Sequence, residues 1–116
     1  MRTIIAGSRS ILNFSLVEQA AKDCGWEITE VVSGTANGVD RLGERWAREH
    51  KVCIKCFAAN WGLHGKSAGY KRNVVMGDYA EAAIIIHNGS RGSRMMLDIA
   101  KARGLKIYEV VVPTKA

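Results

Sequence analysis

The sequence predicts an α/β fold, a doubly wound, Rossmann-like parallel sheet of five strands with helices on both faces. Short apolar runs alternate with longer amphipathic segments along the whole chain, which argues for a parallel sheet. Right-handed crossovers between such strands place helices on both sides of the sheet. Three glycine-bearing turns, "AGSRS", "SGTANGVD" and "HNGSRGS", each follow an apolar run and so fall on one rim, at the carboxyl ends of strands. Ligands of open α/β sheets collect on that rim, where the strand order reverses.

Residues 2–7, "RTIIAG", read as the first strand. Residues 13–25 read as a helix that Asn13 caps and Gly25 ends. A second strand over 27–34 runs into a glycine turn. Residues 37–50 follow as a helix, with Val39, Leu42, Trp46 and Ala47 at helical spacing. Residues 51–59 read as the third strand, and a polar stretch over 60–66 leads into a helix over 67–80. A fourth strand over 81–86 holds the purely apolar run "AAIII". Next come the loop 87–93, a helix over 94–104 and a last strand over 105–112. No repeat, low-complexity tract or linker interrupts this order, so residues 1–116 are expected to form a single domain.

A chain of 116 residues is long enough for one core and too short for two. Hydrophobic residues make up 47% of it, yet no apolar run approaches the roughly 18 residues of a membrane span. The apolar stretch near the start is too short for a signal peptide, and a cytoplasmic domain without a membrane partner is expected. Cys24, Cys53 and Cys56 are an odd number and make no disulfide framework. Cys53 and Cys56 have C-x-x-C spacing, but within a strand residues three apart point to opposite faces. They are expected to be reduced, and neither a metal nor a cofactor is expected.

The net charge is +6, and its distribution is uneven. Residues 1–58 carry eight Lys/Arg against seven Asp/Glu, residues 59–116 nine against four. From Lys51 to Gly77 there is no carboxylate, while Lys51, Lys55, Lys66, Lys71 and Arg72 are present. Interleaved with Trp61, His64, Gly69 and Asn73, that stretch suits an anionic ligand.

The pieces "AGSRS", "VVSGTANGVDRLGERWARE", "WGLHGKSAGYKRNVVM" and "NGSRGSRMMLDIAKARGLKIY" together resemble the SLOG superfamily. The likeness is to its small YspA-like branch, related to the LOG "lysine decarboxylase-like" proteins. The resemblance implies a Rossmann-like sheet and a nucleotide-related ligand, commonly one with a ribose phosphate. In the last glycine loop, Gly89 and Gly92 let the backbone approach an anion closely. Ser90, Arg91 and Ser93 lie at a helix start, where free N–H groups and the helix dipole favour a phosphate. The bland alternative is a helix cap that binds nothing. Arg72 matches an arginine that LOG-type relatives place in their ligand site, where a guanidinium can clamp a phosphate with two hydrogen bonds. Lys66 and Asn73 are ligand candidates beside it.

The second turn offers Ser33, Gly34 and Gly38, and puts Asp40 in the first turn of its helix. That carboxylate either caps the helix or accepts hydrogen bonds from a ribose or base edge. Gly7, Ser8 and Arg9 form the first turn. Trp61 offers a stacking face to a base, or else belongs to the core or a subunit interface. His64 is an acid/base candidate or an exposed loop residue.

LOG enzymes cut an N-glycosidic bond with the glutamate of a loop reading P-G-G-x-G-T-x-x-E. Here Asn88 replaces the proline, Ser90 the second glycine and Met96 the glutamate. Methionine has neither the basicity nor the charge to stabilise the cationic sugar that cleavage creates. Asp98 lies about 200° round the helix from Met96, which leaves Asp40 as the spare carboxylate. Three readings follow. The first is a sensor or sequestering protein for a nucleoside monophosphate, an ADP-ribose-like compound or a cyclic nucleotide signal. The second is a nucleotide N-glycosidase or transferase that uses Asp40. The third is a module for single-stranded nucleic acid, for which Trp61 and Tyr70 are the only stacking candidates. A homodimer or dimer of dimers is expected, because Leu42, Trp46, Met95 and Met96 look like more apolar surface than one domain hides.

Overall fold

The computed structural model describes residues 1–113; Lys115, expected at the surface, lies outside them. Five strands form one sheet: β1 Arg2–Gly7, β2 Glu30–Ser33, β3 Cys53–Cys56, β4 Ala82–His87 and β5 Lys106–Val111. All neighbours pair in parallel, in the order β3-β2-β1-β4-β5. From β1 the chain steps outward to β3, returns to the other side of β1 as β4, and steps outward again. The order therefore reverses between β1 and β4, and loops leaving their carboxyl ends diverge to opposite faces, opening a crevice there.

The helices are α1 Phe14–Asp23, α2 Val39–Glu49, α3 Trp61–His64, α4 Ala68–Tyr79 and α5 Arg91–Ala102. Two cores flank the sheet, one on each face. Ile5, Val31, Ile84 and Ile86 pack beneath α1 and α2, while Ile4, Val32, Ala83 and Ile85 pack beneath α4 and α5. Successive residues of β1 and β4 thus alternate between cores. This explains the unbroken apolar run of β4: both of its faces are covered, and each of its six residues is buried. Gly43 lets α2 lie close on β1, since a Cβ there would come within 2.8 Å of the Ile5 side chain. Asn13 caps α1 through its side-chain oxygen, which accepts from the Ser15 N–H at 3.1 Å.

Some boundaries differ from those expected. α5 begins at Arg91 with Ser90 as its N-cap, three residues before the expected start. The polar stretch 60–66 is partly helical, because the Asn60 side chain caps α3 by accepting from the Leu63 N–H at 3.0 Å. A 3-10 turn, Gly65–Ser67, joins α3 to α4. β4 continues through His87, whose buried ring finds polar partners. Cys53 and Cys56 are free and exposed on the edge strand β3.

The apolar surface invoked for oligomerisation is largely internal: Met96 is 1% and Trp46 9% exposed, and Leu42 and Met95 are partly buried against the cores. Trp61, Leu63, Tyr70 and Val75 are exposed large apolar side chains that gather instead on α3 and α4, while Leu12 and Val111 are exposed elsewhere. Among the described residues, no helix is long and apolar enough to cross a membrane.

Candidate functional site

A crevice of ~480 Å³ lies at the carboxyl ends of β1 and β4, where the strand order reverses. Its floor is built by two close approaches. Gly7 sits so tightly against β4 that a Cβ would lie 1.8 Å from the Ile86 carbonyl oxygen. Gly38 caps α2 with φ 80°, and a Cβ there would meet the Ser8 carbonyl oxygen at 2.4 Å. The first two turns are thereby locked together, and the Ser8, Arg9 and Ser10 backbone is pressed toward the opening.

Across the floor the first turn meets the last. The Ser8 hydroxyl donates to Asn88 Oδ1 at 2.8 Å and accepts from the Asn88 N–H at 3.1 Å. Its oxygen lies 2.9 Å from Ser90 Oγ, which lies 2.7 Å from Ser93 Oγ. Each hydroxyl has one hydrogen, and that of Ser8 is committed to Asn88. Ser90 therefore donates to Ser8, and Ser93 to Ser90. The cluster is self-satisfied, and an entering anion would draw the Ser90 and Ser93 hydrogens outward. Gly92 stands beside it at the start of α5, and a Cβ there would meet nothing within 4 Å. This is unfilled space at a helix N-terminus, where backbone N–H groups lack internal acceptors.

The second turn contributes one acid. Asp40 is 4% exposed, and its Oδ2 accepts from the Ala36 N–H at 3.3 Å. Burial pushes its pKa up from 3.8 to about 6, against the lowering effects of the Ala36 N–H, the Arg72 charge and the Gly7 N–H. The nearby Glu44 adds a smaller upward push. Glu44 is itself buried and holds the turn from below, accepting from the Ser33 hydroxyl at 2.6 Å and pairing with Arg41 at 3.3 Å. The Ser33 oxygen in turn accepts from the Thr35 N–H at 3.1 Å, where the backbone takes the left-handed φ of 63°.

The far wall is α4. Arg72 donates through Nη1 to the Gly34 carbonyl and through Nε to Asn73 Oδ1 at 2.8 Å. Burial lowers the Arg72 pKa, the Asp40 carboxylate opposes this, and Arg9 adds to it. Arg9, Lys66 and Arg72 all line the crevice, with Asp40 as its only lining acid among the described residues. Trp61 and Tyr70, 54% and 52% exposed, stand at its mouth, with the Trp61 ring 3.5 Å from where a Cβ of Gly69 would be.

Of the residues singled out in the sequence, the crevice brings together Gly7, Ser8 and Arg9 from the first turn and Asp40 from the second. Trp61, Lys66, Arg72 and Asn73 join them, as do Ser90, Gly92 and Ser93. Ser33, Gly34 and Gly38 lie behind it and shape the second turn. Gly89 and Arg91 face a neighbouring groove along α5. His64 lies outside the crevice, its Nδ1 3.3 Å from Lys71 Nζ.

Sequence reasoning passed over Ala36, Ser10 and the apolar lining by Met76 and Met95. It also overlooked His87. The Nδ1 of this residue accepts from the Gly89 N–H at 3.0 Å, so its Nε2 bears the hydrogen and donates to Glu109 at 2.6 Å. His87 thus ties the last glycine loop to β5. A histidine closing an apolar strand, with a glutamate on the neighbouring strand, was the available signal. Among the described residues, no cluster of three or more His, Cys, Asp or Glu could hold a metal ion.

A family model described as YAcAr, the "YspA, cpYpsA-related SLOG family", matches residues 1–64, more than half of the chain. The chain belongs to this SLOG family. The match covers β1 through α3, and with them the first two turns, Asp40 and Trp61. It stops short of Arg72 and the Ser90–Ser93 loop, whose assignment to the site rests on the geometry above. No match is found among curated proteins or solved structures. SLOG membership agrees with the sheet order and suggests a nucleotide-related ligand.

Proposed function

We propose that this SLOG protein binds a phosphorylated nucleotide-type ligand in the crevice between β1 and β4, acting as a sensor or sequestering protein. The observation that carries this reading is the arrangement of the crevice itself. One wall offers the Ser8, Ser90 and Ser93 hydroxyls with the open space at Gly92, and another offers the Arg72 guanidinium. A phosphate there gains charge-assisted hydrogen bonds from Arg72 and from the first N–H groups of α5. Trp61 and Tyr70 at the mouth suit a base that stacks while its phosphate points inward. A nucleoside monophosphate, an ADP-ribose-like compound and a cyclic nucleotide all meet these requirements.

Met96 lines the crevice where the LOG glutamate would stand, and no other side chain of α5 brings a carboxylate into it. This favours binding without cleavage. A second reading, a nucleotide N-glycosidase, is favoured by one observation: Asp40 lines the crevice with a pKa raised to about 6, in the range of a general acid or base near neutral pH. Native mass spectrometry of freshly purified protein distinguishes the two. A copurifying intact nucleotide is expected; free base with ribose phosphate would support the glycosidase, and a protein that carries and accepts no nucleotide would refute both.

A further inference from the structure

Beside the crevice, a second and more open groove of ~820 Å³ runs along α5. Tyr70 and Met95 line both spaces and form the ridge between them. The α5 side of the groove is one helical face, on which Arg91, Arg94, Met95, Asp98, Ile99 and Ala102 each have a neighbour three or four residues away. At its far end Arg103 is held by Asp78 at 2.5 Å, close to where Gly77 brings α4 against Ile99. Arg91 and Arg94, at the end nearer the crevice, are exposed and make no ion pair among the described residues. Two like charges one helical turn apart repel each other unless an anion lies between them.

The groove is therefore basic where it borders the crevice, and the ridge between the two is apolar and aromatic. Tyr70 exposes about half of its surface, so a ring can stack on it from the groove side. Met95 supplies a polarizable floor that adapts to a planar group.

Resting on the reading that the crevice binds a nucleotide, we propose that the groove is a second subsite for the same ligand. The ligand class is then a dinucleotide-type compound with two separated phosphoryl groups. One phosphoryl group sits with Arg72 and Ser93, the connecting sugar and base cross the Tyr70–Met95 ridge, and the second phosphoryl group lies on Arg91 and Arg94. Arg91 serves this outer subsite and not the inner one, since its side chain faces the groove.

Calorimetric titration of the full chain tests this with three probes. These are the tightest-binding of the four common ribonucleoside monophosphates, the 5′-phosphorylated dinucleotide of the same base, and a ten-nucleotide strand of it. The dinucleotide is expected to bind at least about tenfold more tightly than the monophosphate. The Arg91→Ala/Arg94→Ala variant should return the dinucleotide to the monophosphate level and change monophosphate affinity by less than about twofold, because the loss is confined to the outer contact. Equal wild-type affinity for the two short ligands overturns the second subsite alone, as does a double variant that weakens both equally. A ten-nucleotide strand binding far more tightly than the dinucleotide overturns it in favour of a nucleic-acid track. If no monophosphate or dinucleotide binds, the nucleotide reading falls and the second subsite with it.

Discussion

Replacing Asp40 by asparagine removes a charge that the fold holds almost out of water. The pKa of this carboxyl rises from 3.8 to about 6, with burial as the largest cause. Because the folded state holds its proton more tightly than the unfolded state does, the associated stability is fully present below pH 3.8 and is lost as pH rises through about 6. A tenfold gain in proton affinity is worth about 1.4 kcal/mol, so the rise from 3.8 to about 6 amounts to roughly 3 kcal/mol. Asparagine keeps an oxygen for the Ala36 N–H and does not ionise. Urea unfolding of both proteins at several pH values between about 3 and 8 isolates the effect, because other titrating groups cancel in the difference. The stability of wild type relative to Asp40→Asn should fall by roughly 3 kcal/mol across that range. A difference that stays constant would refute the reasoning, since the carboxylate would then be as well solvated, or as well compensated by Arg72, as in the unfolded chain.

Met96→Glu restores a carboxylate to the crevice and should raise nucleoside-monophosphate cleavage from undetectable to measurable by chromatography of free base, with Met96→Gln as the uncharged folding control; equal inactivity of two folded variants would contradict this. His87→Ala removes the acceptor of the Gly89 N–H and the donor to Glu109, and should destabilise the fold by about 1–3 kcal/mol. Faster amide exchange at Gly89 should accompany it, and an unchanged melting temperature would count against the tie between loop and β5. A homodimer or dimer of dimers is still the expected state, now through the exposed Trp61, Leu63 and Val75 and not through Trp46 or Met96. Light scattering that gave a monomer at micromolar concentration would refute that.

The central strands β1 and β4 were legible because burial on both faces leaves a simple trace: they carry their apolar residues with little polar alternation. The place of the candidate crevice was legible for a related reason, since glycine-bearing turns after parallel strands must share one rim. What escaped depends on contacts distant in sequence. The earlier start of α5 puts Ser90 at the N-cap position, where its hydroxyl does not cap the helix but turns to that of Ser8, 82 residues away. The extension of β4 to His87 depends on Glu109 in a neighbouring strand. Nothing within residues 28–38 shows that Ser33 turns inward to Glu44 while Ala36 takes the place at the rim. The apolar positions of α2 and α5 were visible, but whether they met the sheet or a second subunit depended on the packing angle of each helix.

The most direct test of the central claim is calorimetric titration of wild type and Arg72→Ala with a nucleoside monophosphate and with the matching unphosphorylated nucleoside. If the crevice holds a phosphate between Arg72 and the start of α5, the monophosphate should bind well and the nucleoside poorly. Loss of the charge-assisted contact is worth on the order of 1.5–3 kcal/mol, so Arg72→Ala should weaken monophosphate binding roughly 10- to 150-fold. Arg72→Lys should recover only part of that, since the charge returns without the planar fork. Equal affinity for the two ligands, or an Arg72→Ala protein that binds like wild type, would mean that the last glycine loop caps a helix and holds no phosphate.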